Sequence, residues 1–313
     1  MLLVDSFAPH RGWLPIDPDA ISPGKRDIMW AEVDVDTLES HDGELLAEVF
    51  GIDGQTLQTA LDPRHRPKLE TLADRRFLVL HELNERNGRL QPSQIACFFA
   101  DDEVIVVHSS ATRTLEAARE LREQLGEELD ANQLVGCILK VLVDDYQMIA
   151  DRMHGDIGAL EDIALETVDA PIQRQLYLIS QRISRLNYYV VPLEKVVTGF
   201  TRLDGGSVGL RNDELKDLLL DIVHQVRSMD TTARAVINLT QAQREIELND
   251  INKKLAGWAA IFGAGAFIAG IYGELRARAP ARNAVRISRG PRAHRLGQRG
   301  SLLLPAQSPL ALG

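Results

Sequence analysis

Two cysteines, eight histidines and an excess of carboxylates are the groups from which a catalytic or metal site would have to be built. Their spacing forms none of the usual arrangements. His81, His108, His154 and His224 fall in separate segments and read as packing or surface residues, and His65 in "DPRHRP" belongs to a basic turn. Cys97 and Cys137 sit inside apolar runs, as buried thiols of a reducing compartment do, rather than as a disulfide or a zinc pair. "DGGSVGLRND" (204–213) lacks the Lys-Ser/Thr of a phosphate loop and follows no strand. "DVDTLESHDGE" (34–44) is acidic but lacks the spacing and glycine of a calcium loop. With no dinucleotide fingerprint and no Ser/His/Asp set, no enzyme is expected. A net charge of −10 argues against general nucleic-acid affinity, although an acidic surface could concentrate cations.

The informative stretch is "LAGWAAIFGAGAFIAGIYG" (255–273), which has no charged residue. At ~1.5 Å per residue it spans ~28 Å, close to the hydrocarbon thickness of a bilayer. Lys253 and Lys254 flank its start and mark a cytoplasmic end; Trp258 and Tyr272 suit the two interfaces. Gly or Ala at 257, 259, 260, 263, 264, 265, 266, 269 and 270 permits close helix contacts. Composition changes abruptly after Gly273. From Glu274 to the end there are eight arginines, no lysine and one acidic residue, among much Ala, Gly and Pro. "SLLLPAQSPLALG" (301–313) is too short and too proline-rich to be a second span.

Upstream, residues 1–110 read as α/β. Strands are expected at 27–36, 75–83, 94–100 and 103–109, with a hairpin at "DDE" (101–103) and a helix at 43–52 followed by a turn at "DGQ". "MLLVDSFAPHRGW" lacks the basic and apolar regions of a signal peptide. After Ser110 the chain turns helical. Helices are expected at 112–125, from Gln133 to about Thr167 and from Pro171 to about Leu203, the last kinked at Pro192; 204–209 is a loop. The first long helix carries Leu139, Leu142, Tyr146, Ile149, Met153, Ile157, Leu160 and Ile163 on its apolar face. Between Arg211 and Ala256 no Gly or Pro occurs, and Leu215, Leu219, Ile222, Val226, Met229, Ala233 and Val236 form a coiled-coil-like seam that turns polar at Thr240 and Gln243. A stalk from Arg211 to Gly273 would be on the order of 90 Å long. Such a seam needs partners to bury it, so a homo-oligomer is expected. Four parts follow: a cytoplasmic α/β domain (1–130), a long-helix bundle and stalk (131–254), a transmembrane helix (255–273), and an Arg/Ala/Pro-rich tail read as disordered (274–313).

"IAGIYG" (268–273), "NDINKKL" (249–255), "RISRLNYYVVPLEKVV" (182–197), "DIGALEDIALE" (156–166) and "QIACFFADDEVIVVHSS" (94–110) resemble the CorA-type magnesium/cobalt transporter family over roughly residues 25–273. The resemblance implies an α/β cytoplasmic domain with a long α-helical stalk running into a transmembrane helix. It implies a homopentamer in the inner (plasma) membrane whose first membrane helices line a pore for Mg²⁺, with Co²⁺ and Ni²⁺ as further cargo. In the family a Gly-Met-Asn signature at the outer mouth bonds the water shell of a hydrated cation, which suits an ion that dehydrates reluctantly. On that basis Gly273 is the signature's glycine and Tyr272 stands beside it, but Glu274 and Leu275 replace Met and Asn. Asn249 matches a pore-facing asparagine near the cytoplasmic entrance, and Asn252 stands where an apolar gate residue is common. Asp213, Glu214 and Asp217 lie where family members hold regulatory Mg²⁺ between neighbouring protomers, closing the pore.

The tail has two readings. In one, two nucleotides are missing after the Gly273 codon. Glu274-Leu275-Arg276-Ala277, written GAA CTT CGA GCA and preceded by AT, reads Met-Asn-Phe-Glu-His. In the same shifted frame Val285 to Arg289 permits Tyr-Gly-Tyr-Pro, the aromatic-Gly-Tyr-Pro with which the family starts its second membrane helix. The second reading is a true basic tail that binds anionic lipid or a partner. For the whole chain, the expected function is divalent-cation transport, impaired by the altered C-terminus. The rivals are a membrane-anchored oligomeric metal sensor or scaffold without transport, and a soluble helical protein.

Overall fold

The fold is described from a computed structural model covering residues 2–8, 12–17, 28–62, 64–72, 74–109, 112–125, 130–166, 170–203 and 212–278. Its compact units are Met1–Asn249 and Asp250–Gly313. The loop expected at 204–209 and the tail beyond Arg278 lie outside the described residues.

The first unit is built on one seven-stranded sheet. Its strands are β1 (Leu2–Ala8), β2 (Gly12–Pro15), β3 (Ile28–Asp34), β4 (Lys68–Leu72), β5 (Arg75–Arg86), β6 (Arg89–Ala100) and β7 (Glu103–His108). They lie in the order β2-β1-β3-β7-β6-β5-β4, with β3 and β7 parallel and every other pair antiparallel. The expected Asp101–Asp102 turn joins β6 to β7, with Ala100 opposite Glu103. Asn87 and Gly88 join β5 to β6 and both have positive φ, the Asn-Gly turn whose twist matches that of paired strands.

Both faces of the sheet are covered, which is why its central strands read as apolar runs rather than as alternating ones. Leu78, Leu80, Ile95, Cys97, Phe99, Val104 and Val106 share one core with the long helices. Phe77, Val79, Ala96, Phe98, Ile105 and Val107 point the other way, into a core with Leu46, Phe50 and Leu57. Those last three come from α1 (Ser40–Phe50) and α2 (Gly54–Ala60); α1 ends on Gly51 at φ 61°, the left-handed cap that glycine adopts without strain. Cys97 and Cys137 are free and buried, and burial pushes both thiols up to about 12, so they stay protonated.

The other face carries α3 (Arg113–Glu123), α4 (Ala131–Glu166), α5 (Ala170–Leu203) and the start of α6 (Asn212–Arg278). Helix α5 runs through Pro192 unbroken. Ile163, the last member of the apolar series expected on α4, is 44% exposed; Ala164 is buried in its place. Leu215 to Val236 of the α6 seam are all buried in the same core as α4 and α5. The chain therefore fills its own seam, and the seam does not call for a second copy.

His81 supplies a test of this packing. It is buried in β5 with its ring 4.7 Å from that of Tyr189, while the Tyr146 hydroxyl donates to its carbonyl at 2.6 Å. Burial, reinforced by the charge of His65, lowers its pKa to about 4. The unfolded chain takes up this proton below an ordinary value near 6.5, whereas the folded chain resists until pH 4. Stability is therefore complete at neutral pH and falls on acidification, by about 2 kcal/mol between pH 7 and pH 5 from this group alone. His81→Gln is expected to flatten that limb in thermal melts of the detergent-solubilised chain. Equal acid slopes in both proteins would remove the assignment.

Candidate functional site

The residues singled out by sequence all lie on α6. Its buried positions, Leu215, Leu219, Ile222 and Val226, face the protein's own core and turn Asp213, Glu214 and Asp217 outward into solvent. Asp213 and Asp217 are four apart and so neighbours on the helix surface. Among the described residues no three His, Cys, Asp or Glu side chains converge closely enough to hold a metal. One chain thus offers an exposed acidic stripe rather than a coordination shell, and Mg²⁺ normally takes one or two carboxylates and keeps several waters.

The helix changes character around Asn249. Every residue from Glu245 to Leu275 is exposed, Asn249 and Asn252 included. Lys253 reaches Asp250 at 3.6 Å, the last ion pair before the uncharged run. From Leu255 onward the side chains bared to the surroundings are apolar, with Phe262 and Phe267 each 69% exposed and Tyr272 71%. Trp258 and Phe262 stack on each other at 5.9 Å and on nothing else among the described residues. A continuous apolar surface of this kind is not stable in water and marks contact with lipid or with other protein. By length and by a mean hydropathy of 1.7 over its most apolar window, the helix is able to cross a membrane, and none of that window is buried within the chain.

Glycine gives a second indication. A side chain built at Gly257, Gly263, Gly265, Gly270 or Gly273 would meet no atom within 4 Å. Among the described residues nothing needs these positions to be small. Ile246, Leu248 and Ile251, also exposed, extend the apolar surface ahead of the uncharged run. Glu245, Glu247 and Asp250 alternate with them, so they form no uninterrupted apolar run. The structure thus strings the candidate residues along one helix without gathering them. The acids lie in its first two turns, the two amides at the change of character, and Tyr272 and Gly273 at the far end of the uncharged run.

Comparison with known proteins matches this arrangement. The family described as CorA-like Mg²⁺ transporter protein covers residues 25–274. The cobalt/magnesium transport protein CorA of Thermotoga maritima is 24% identical over 238 residues, 73% of this chain and 68% of that protein. Its namesake in Methanocaldococcus jannaschii is 22% identical over 273 residues, 82% of each chain. Among solved structures, the complete CorA magnesium transporter of Methanocaldococcus jannaschii superposes with a TM-score of 0.71 at 17% identity, over 87% of this chain and 86% of that one. The cytoplasmic domain of ZntB from Vibrio parahaemolyticus gives 0.62 at 13% identity, over 78% of this chain and 97% of that domain.

Proposed function

The chain belongs to the CorA-like Mg²⁺ transporter family, and we propose that five copies of it form a pore for Mg²⁺, with Co²⁺ and Ni²⁺ as further cargo, across the inner membrane, with transport impaired by the residues after Gly273. It is a divalent-cation transporter by family and not an enzyme. The observation that carries the reading is the uncharged, uncovered run from Leu255 to Gly273 at the end of a helix rooted in a soluble α/β unit. The open glycine positions support a homo-oligomer, because nothing among the described residues uses their small size and close helix neighbours would. Lys253 and Lys254 support a cytoplasmic first unit.

In this reading the ion crosses passively, driven by the membrane potential. The Asn249 amides of five helices bond the water shell of the entering cation, Asn252 lies one turn further in, and Tyr272 and Gly273 stand at the outer mouth. An amide dipole can hand a hydrated cation onward, because it binds firmly enough to select and weakly enough to release. Cytoplasmic Mg²⁺ held between copies by Asp213, Glu214 and Asp217 keeps the pore shut when internal Mg²⁺ is high. In the frame-restored chain, Asp213→Asn with Asp217→Asn removes two charges per copy, so Mg²⁺ efflux from loaded liposomes is expected to persist at internal concentrations that close the frame-restored parent. An unchanged closing concentration would take these residues out of the gate.

The residues after Gly273 favour a second reading, a membrane-anchored metal sensor or scaffold. Metal uptake in a strain deficient in Mg²⁺ transport separates the two. Uptake from the 313-residue chain supports transport, and uptake only from its frame-restored version supports the anchored sensor or scaffold, or a dead allele, for the chain as it stands. An oligomer that reaches the membrane yet moves no ion in either form supports the scaffold.

A further inference from the structure

The end of the β5–β6 hairpin and the middle of α5 enclose a groove of about 970 Å³, the size of a small-ligand cleft. Its lining is basic and aromatic: Arg89 from the hairpin, and Tyr177, Arg182, Arg185, Tyr188 and Tyr189 from α5. The helix spacing accounts for this. Leu176, Ile179, Ile183 and Leu186 face the core, which leaves Tyr177, Arg185 and Tyr188 outward on the side that meets the hairpin.

The positive charge in this groove is only partly neutralised. Arg182 forms an ion pair with Glu85 at 3.1 Å and donates to Asp156 at 2.9 Å, yet its buried Nε–H has no acceptor among the described residues. Arg185 uses Nε on the carbonyl of Leu90 at 3.3 Å, and its two terminal nitrogens meet no acceptor among the described residues. Arg89 has no ion pair among the described residues and faces Arg86 across the last rung of the hairpin. Like charges directly opposite each other destabilise a strand pair. In a chain of net charge −10, this concentration of guanidinium groups is local and unexpected. On the aromatic side, Tyr177 is 62% exposed, its hydroxyl accepting from Gln181 Nε2 at 2.7 Å, whereas the Tyr188 ring is covered by the Arg66 guanidinium 3.9 Å from its centre.

We propose that this groove binds a nucleoside polyphosphate, with its phosphates on Arg89 and Arg185 and its base against Tyr177. The fork of arginine donors fits phosphate oxygens, and an exposed tyrosine offers a face on which any planar base can stack. The proposal does not depend on the transport reading.

The test is calorimetric titration of the full chain in detergent with ATP in metal-free buffer, with tripolyphosphate and adenosine as parallel probes. ATP is expected to bind saturably and more weakly as salt rises, with adenosine weak or silent. Arg89→Gln with Arg185→Gln should lower ATP affinity about tenfold or more, the scale of losing charge-assisted phosphate contacts. Tyr177→Leu should weaken ATP and leave tripolyphosphate unchanged. Both sites are on the surface, and an unchanged melting profile shows that the variants fold. Absence of saturable ATP binding, or equal affinity in the arginine variant, overturns the proposal. Tripolyphosphate binding as tight as ATP overturns the stacked base. A change of oligomer size on arginine substitution, with ATP binding intact, would mean that the groove serves a contact between copies instead.

Discussion

Adding two bases after the Gly273 codon is expected to turn a chain that gives background Mg²⁺ and Co²⁺ uptake into one that transports. As printed, Gly273 is followed by Glu274, which is exposed, and helix α6 continues to Arg278. In five copies this would place a ring of carboxylates where the family places amide and carbonyl oxygens. A charged ring holds a divalent cation tightly, and conduction requires release as much as binding. The eight arginines that follow would also have to cross to the outer side, against the bias that keeps Lys and Arg inside. Reading the same bases after a restored AT removes both difficulties. Met-Asn follows Gly273, and a Tyr-Gly-Tyr-Pro becomes possible whose Pro falls fourteen positions after the Asn (289 against 275). Each site alone admits about four residues, so a single match means little; agreement at two motifs in register is harder to reach by accident. Sequencing the gene across this codon in independent isolates, beside uptake by both versions, decides the matter. A clean frame in every isolate together with no gain from the insertion would leave the basic tail as a real feature.

Much of the fold was legible because its elements repeat strong signals. The helices expected at Gln133–Thr167 and Pro171–Leu203 appear as Ala131–Glu166 and Ala170–Leu203, and the strands at 75–83 and 94–100 appear as the longer β5 and β6. The extensions are physical. Glu85 and Arg86 are exposed at the end of β5, so the apolar pattern stops before the hydrogen-bonded ladder does. The hairpin of β1 and β2 left no clear trace, because Leu2, Val4 and Ser6 turn inward with a polar residue among them and exposed Leu3 breaks the alternation. Strand β4 was hidden for a similar reason. It is an edge strand of mixed Lys, Glu, Thr and Leu, paired only with β5. The α6 seam was read correctly as apolar and wrongly as in need of another chain, since periodicity shows that a face is buried but not by what. The acids and amides on α6 carry no local signal of their own. A helix with an exposed Asp213 or Asn249 looks the same whether that residue meets water or an ion, and only the position relative to the uncharged run singles it out.

Phe262→Asp with Phe267→Asp is expected to remove the chain from the membrane. Both side chains lie near the middle of the 255–273 run and are 69% exposed, so no contact within the protein compensates for their replacement. A single Asp at the centre of a spanning helix costs about 2.5–3.5 kcal/mol of insertion free energy. Two cost roughly 5–7 kcal/mol, a factor of 10⁴ or more in the insertion equilibrium. The helix has little reserve to absorb this, because eleven of its nineteen residues are Gly or Ala and contribute little apolar area. After alkaline extraction the parent should stay with the membrane pellet, while the double variant should move to the supernatant or aggregate. Phe262→Leu with Phe267→Leu keeps the apolar surface and should remain in the pellet, which separates loss of hydrophobicity from loss of the aromatic rings. The same fractionation reaches the rival reading of a soluble helical protein. If the parent itself appears in the supernatant without detergent, the uncovered run is buried in a soluble assembly, and the pore has no membrane to cross.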